Sequence, residues 1–254
     1  MVTIEIRPYY DENDLDIMCE LFATDLSEPY GKYTFRFFLE RYPDISFVAE
    51  VAHDDFIRFE EICKKPEKSP KEIEFCTHAK YVIHEKNPSI RDETKHIVGS
   101  VIASIEVIRL GHKEFQPPAH YHHYVEQLKY KEDSKSSKGP FSILYKKLDS
   151  ERLSSRTTGY IGMVSVVKEY RRLGIGKKLA CISMNQMIRS KSVTEVYLET
   201  ERHNFSAIKF YQSLYFTSLQ SMSRYYLNGS SAVKMKRFFS DEQIKAVKDG
   251  EWIW

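Results

Sequence analysis

The 254-residue chain lacks the features that place a protein in a membrane, in an oxidising compartment or on nucleic acid. No run approaches the ~18 apolar residues that cross a bilayer as a helix. Its 4 cysteines, Cys19, Cys63, Cys76 and Cys181, show no C-x-x-C spacing and read as reduced thiols. Cys63 and Cys76 with His78 and His84 fit no zinc pattern, and His112, His120, His122 and His123 lie in a polar stretch that reads as solvated surface. No metal is therefore expected. Net charge is also scarce: 38 basic residues against 36 acidic leave +2, so any basic site must be local and sequence-specific nucleic-acid binding is not expected. The opening MVTIEIRPYYDEND has neither the basic end nor the apolar run of a signal peptide. These absences together predict a cytoplasmic protein.

What is present is a composition fit for a buried core, 42% hydrophobic and 29% charged. Periodicity predicts a strand over Val2 to Ile6, a helix over Asp11 to Leu26, a helix over Tyr33 to Tyr42 that stops at Pro43, and a strand over Ile45 to Val51. A further strand is predicted over Ile97 to Val107. Two long polar segments, about 52–96 and about 109–157, read as insertions with little regular structure beyond a short strand at Lys80 to His84, partly disordered or docked on a partner. They look like poor places to seek chemistry.

From Thr158 the texture changes. Strands are predicted over Tyr160 to Val167 and Val193 to Thr200, with helices over Gly174 to Arg189 and Phe205 to Leu214. Phe216 to Leu227 and Val233 to Phe239 read as an antiparallel pair turning at Asn228-Gly229. Residues 1–239 thus form one domain. Residues 240–254 form an amphipathic tail whose Ile244, Val247, Trp252, Ile253 and Trp254 suggest docking to a partner.

The sharpest local signal is Arg171-Arg172-Leu173-Gly174-Ile175-Gly176-Lys177-Lys178, between a strand and a helix. The first amides of a helix have no internal partners and stand at the positive end of its dipole, so this junction is an anion site. Gly174 and Gly176 allow close approach of a phosphate, and the flanking cations add charge. The Rossmann fingerprint fails for want of a third glycine at the right spacing, and the P-loop pattern is missing.

What remains, R-x-x-G-x-G, resembles the pyrophosphate loop of GNAT acetyltransferases. Gly159-Tyr160-Ile161-Gly162-Met163-Val164-Ser165-Val166 resembles the central strand of that family, and Leu198-Glu199-Thr200-Glu201 with Asn204, Ala207 and Tyr211 resembles the strand and helix across the thioester. Asp25-Leu26-Ser27-Glu28-Pro29-Tyr30 and Arg224-Tyr225-Tyr226-Leu227-Asn228-Gly229 narrow the likeness to catalytic subunits of the N-terminal acetyltransferase C (NatC) complex.

The resemblance implies an α/β fold of the GNAT type, a mixed central sheet flanked by helices with a splayed strand pair that takes acetyl-CoA. Acetyl-CoA would be held by Met163, Val164, Ser165, Val166, Arg171, Arg172, Leu173, Gly174, Ile175, Gly176, Lys177, Asn204, Ala207 and Tyr211. The resemblance makes Glu199 the base and Tyr211 the acid; a strand-end carboxylate capping amides, and a tyrosine packed in the core, are the plainer roles of such residues. It puts Leu26, Glu28, Tyr30, Tyr160, Tyr225 and Tyr226 around the N-terminus of a peptide that begins with Met and a bulky apolar residue. Leu26, Phe35 and Phe38 serve equally as pocket walls or as core. The partners it implies are a large auxiliary subunit, a small Sm-like subunit and, through them, the ribosome. Acetylation of lysine, small amines or other N-termini, and a non-catalytic CoA-binding scaffold, stay open at this level.

Overall fold

The computed structural model describes residues 1–25, 30–87, 92–108 and 156–254. In chain order the elements are β1 (Val2–Pro8), α1 (Glu12–Asp25), α2 (Lys32–Arg41), β2 (Phe47–Val51), α3 (His53–Lys64), α4 (Pro70–Thr77), β3 (Ala79–Ile83) and β4 (His96–Ile108). There follow β5 (Arg156–Val166), α5 (Ile175–Lys191), β6 (Glu195–Glu201), α6 (Phe205–Gln212), β7 (Thr217–Met222), β8 (Ala232–Phe238) and α7 (Asp241–Lys248).

The strands join in one 8-stranded sheet, ordered β3-β1-β2-β4-β5-β6-β8-β7. β1 runs parallel to β3 and β5 parallel to β6, while the other neighbours are antiparallel, so the sheet is mixed. Alternating side chains feed two cores. On one face Leu15, Met18 and Phe22 of α1 and Phe35, Phe38 and Leu39 of α2 pack over Val48, Ile102, Tyr160, Met163 and Tyr197. The other face carries α3, α4, α5 and α7, with Phe59, Phe75, Leu179, Met187 and Val247 buried there. Phe35 and Phe38 therefore belong to the core.

Three expectations change. The described residues of the segment 52–96 are folded rather than a loose insertion: Phe59, Ile62 and Phe75 are buried, and β3 completes the edge of the sheet beside β1. Its polar run KKPEKSPKEIE contains a helix start. Ser69 and Glu72 form a reciprocal capping box and Pro70 occupies the first turn, so residues that read as loop are a cap and a solvated face. The closing hairpin does not turn tightly at Asn228-Gly229, because β7 ends at Met222 and β8 begins at Ala232. Asn228 Oδ1 accepts from the Ser230 amide, while Asn228 and Ser230 both donate to Glu201 Oε1, so the loop is tied back to the end of β6. The C-terminal tail covers its own domain: Val247 is buried against α5, and Ile253 exchanges two backbone hydrogen bonds with the Asn185 side chain, at 3.0 and 3.1 Å. The stretch 109–155, with His112, His120, His122 and His123, lies outside the described residues.

Candidate active site

The glycine loop and the helix start form as their residue types require. After β5 a short turn over Lys168–Tyr170 leads into the loop, where Arg172 (φ 69°) and Gly174 (φ 90°) take left-handed backbone conformations. That geometry suits glycine at 174 and costs strain at 172. Gly174 is the N-cap of the 17-residue α5 and no side chain caps the helix, which leaves its first-turn amides for an anion. A Cβ at Gly176 would lie 3.4 Å from the Phe210 ring, an ordinary contact, so α6 packs closely over the start of α5.

Around the loop, Leu173 and Ile175 are buried as anchors, and Arg172 and Lys177 are exposed. Arg171 is a strut: it pairs with Asp25 at 2.5 Å and donates to the Val166 carbonyl at 2.9 Å. Asp25 also accepts from Ser165, so the end of α1 is fastened to both β5 and the loop. Tyr81 of β3 donates to the Leu173 carbonyl at 2.7 Å, and burial pushes its phenol up to about 12, which keeps it a donor. The Lys178 ammonium lies 3.4 Å from the Trp254 ring centroid, and burial lowers its pKa.

Next to this loop the sheet opens. β5 and β6 pair only at Thr158↔Glu195, Gly159↔Val196 and Tyr160↔Tyr197; beyond that point Met163 to Val166 continue along β4 while Leu198 to Glu201 continue along β8. Gly162 is the extra residue of a bulge, since Ile102 pairs with Met163 and Ala103 with Ile161. The splayed strand pair expected from the sequence is thus present. Met163 and Ser165 are buried, and Val164 and Val166 pack partly against α5.

At the mouth of the splay stands Glu199. Its Oε2 is buried with no hydrogen-bond partner among the described residues, while Oε1 lies 3.6 Å from the Lys234 ammonium. The Tyr160 hydroxyl lies near the same carboxylate. Burial raises the pKa of Glu199, outweighing Lys234 and Tyr160, which both favour its charged form. Tyr160 is fully buried, with Tyr197 at 4.9 Å, Phe38 at 6.4 Å, and Tyr30 and Tyr225 close enough to act on it electrostatically. Four segments distant in sequence thereby converge: the α1–α2 connection, β5, β6 and the β7–β8 connection.

The other expected site residues fall as follows. Tyr211 is buried in the core beside Phe210 and Phe216, at 4.9 and 5.8 Å, and burial raises its pKa so that it stays protonated at neutral pH. Asn204 caps α6, its side chain accepting from the Ala207 amide at 3.0 Å, so its oxygen serves the helix. Tyr225 and Tyr226 lie in the connecting loop, ring to ring at 5.1 Å, and not on a strand. Leu26 and Glu28 lie outside the described residues. Sequence reasoning passed over Tyr81, Glu106, Tyr197 and Lys234, and gave Asp25 no role beyond its place in a motif. Only Lys234 left a signal, since it falls opposite Glu199 once β6 and β8 are paired.

The model of the Acetyltransferase (GNAT) family matches residues 48–216. The chain is 28% identical to N-alpha-acetyltransferase 30 of Schizosaccharomyces pombe over 91% of its own length and 95% of that protein. To N-alpha-acetyltransferase 30 of Homo sapiens it is 26% identical over 92% of its length, and it spans only 41% of that longer protein. Its fold matches a chain in the crystal structure of the NatC complex bound to Gag peptide and CoA, with a TM-score of 0.55, 22% identity, and coverage of 94% of this chain and 99% of that one.

Proposed function

Because the chain belongs to the GNAT acetyltransferase family, we propose that it transfers acetyl from acetyl-CoA to the α-amino group of protein N-termini, as the catalytic subunit of a NatC-type complex. The observation that carries this reading is Glu199: a buried carboxylate with one oxygen unpartnered among the described residues, at the mouth of the splay and beside Tyr160. The Schizosaccharomyces pombe relative, matched over 95% of its length, bears the name N-alpha-acetyltransferase 30 and supports this reading.

Acetyl-CoA supplies the acyl group as a thioester when bound. The uncapped amides of α5, with Arg172 and Lys177, would hold its pyrophosphate, and the edge of β5 over Met163 to Val166 would face its pantetheine arm. The uncapped helix end fits that anion. The amine must lose a proton to become a nucleophile, and a protein α-amino group, with a reference pKa near 8, gives it up far more readily than lysine near 10.4. Glu199, its proton affinity raised by burial, accepts that proton through a water. Tyr211, held protonated by burial, is the donor for the departing thiolate.

Tyr30, Tyr225 and Tyr226 frame the entrance and favour an extended peptide end over a small amine. The preferred substrate is Met followed by Leu, Ile or Phe, with Leu26 and Glu28 at the first residue. An apolar slot separates such side chains by about 1–3 kcal/mol per methylene, so the preference is graded. The setting is the cytoplasm, on ribosomes, with a large auxiliary subunit and a small Sm-like one.

The test is acetyl-CoA turnover on peptides starting Met-Leu, Met-Lys and Ser-Glu and on an N-blocked lysine peptide, with and without co-purified partners. Selective turnover of Met-Leu supports the reading. Preference for the blocked lysine peptide, or CoA binding without turnover in the presence of partners, overturns it.

A further inference from the structure

Glu199 has a second carboxylate for a neighbour, and the two share a cation. On β6 the residues 195, 197 and 199 face the same side, and pairing with β8 sets Lys234 opposite Glu199. The Lys234 ammonium lies 3.6 Å from Glu199 Oε1 and 4.0 Å from the centre of the Tyr197 ring. Across the small Thr158 of β5, the Tyr197 hydroxyl donates to Glu106 Oε1 of β4 at 2.8 Å. The chain of contacts is therefore Glu106, Tyr197, Lys234, Glu199, and it crosses the sheet just below the splay. A neighbouring pair, Lys236 with Glu195 at 2.9 Å, lies beside it, and Glu195 also accepts from the Thr158 hydroxyl at 3.2 Å.

We propose that Glu106 is a positioning residue for acetyl transfer, which sets the basicity of Glu199 without touching substrate by sharing the Lys234 cation through Tyr197. This rests on the reading of Glu199 as the base. The groups that face Glu199 are Lys234 from β8, Tyr160 from β5, Tyr197 from its own strand and Glu106 from β4. Of these Lys234 draws the proton off and Glu106 holds it on, in surroundings where burial weakens solvent screening. Glu106 is itself largely buried, holds the Tyr197 hydroxyl at 2.8 Å and feels the Lys234 charge, so removing its carboxylate changes the field on Glu199. Glu106→Gln keeps an oxygen for the Tyr197 hydroxyl, which isolates the charge from the hydrogen bond.

The experiment is the pH profile of kcat/KM on the best peptide, using the full chain with its co-purified partners, for wild type, Glu106→Gln, Lys234→Met and the double variant. The acid limb moves down by about half a pH unit in Glu106→Gln, moves up by a similar amount in Lys234→Met, and returns near wild type in the double variant. A merely structural role would lower the whole curve and leave the limb in place, and that outcome overturns the inference. Glu199→Gln separates the two readings: if it keeps wild-type turnover, the assignment of the base has failed. If it abolishes turnover while the limb stays fixed in Glu106→Gln and Lys234→Met, only the role of Glu106 has failed.

Discussion

At Glu199 the demands of chemistry and of stability oppose each other. A carboxylate buried among tyrosines, with one oxygen unpartnered among the described residues, holds its proton more tightly in the folded chain than in the unfolded one. Well below the ordinary carboxylate pKa it is neutral in both states and contributes nothing. As pH rises through that range the unfolded chain ionises first, so folding loses stability, and the loss is complete above the raised folded value. Glu199→Gln removes the titration. Its melting temperature should match wild type near pH 4 and exceed it at pH 7–8, while turnover falls about 100-fold or more at neutral pH. A thermal melt at both pH values beside a rate assay checks this; a variant less stable than wild type at pH 7 would contradict it. Tyr211 calls for the opposite signature. Its ring packs against Phe210 and Phe216, so Tyr211→Phe should keep the melting temperature and both KM values but lower kcat about 10-fold or more.

Among the elements, β3 shows why part of the site was legible in the sequence and part was not. The R-x-x-G-x-G loop and the strand and helix on either side of it are local: glycines, charges and periodicity lie within one short stretch, and the structure puts them where the pattern says. The brace on that loop is not local. Tyr81 lies in the short strand expected at Lys80 to His84. The lysines, glutamates and prolines before it read as a loose insertion because a capping box and a solvated helix face have the composition of a loop, so its contact with the loop was not legible. Glu106 and Tyr197 were silent for a related reason: they meet only after β4, β5 and β6 are set side by side. Tyr225 and Tyr226 carried strand propensity that Asn228, Ser230 and Glu201 override by holding the loop. For the brace a specific result is expected. Tyr81→Phe removes one hydrogen bond to the Leu173 carbonyl, of about 0.5–1.5 kcal/mol, and should raise KM for acetyl-CoA about 2- to 10-fold with little change in kcat or in KM for peptide. Gly174→Ala, forced to φ 90°, should cost more.

For the whole molecule the C-terminal tail raises the question of whether the fold comes apart as one unit. A free amphipathic tail would fray separately, but here Val247 is buried on α5, Trp252 stacks with Trp254, and Arg189 lies 4.4 Å from the Trp252 ring. Asn185, buried in α5, satisfies both backbone groups of Ile253, and Trp254 reaches Lys178 in the first turns of the helix that begins at Gly174. The tail therefore joins the end of the chain to the loop proposed to hold the pyrophosphate. The only two tryptophans of the sequence are Trp252 and Trp254, so intrinsic tryptophan emission reports the tail alone while far-UV dichroism reports the whole. If the tail is part of the cooperative unit, urea transitions by the two probes coincide. Asn185→Ala strands the backbone groups of Ile253 and should separate them, the fluorescence transition moving to lower urea while the dichroism midpoint shifts less. Coincidence in wild type and separation in the variant would make the tail an integral strap of the domain; an early fluorescence transition in wild type would make it a loosely held arm, open to another occupant.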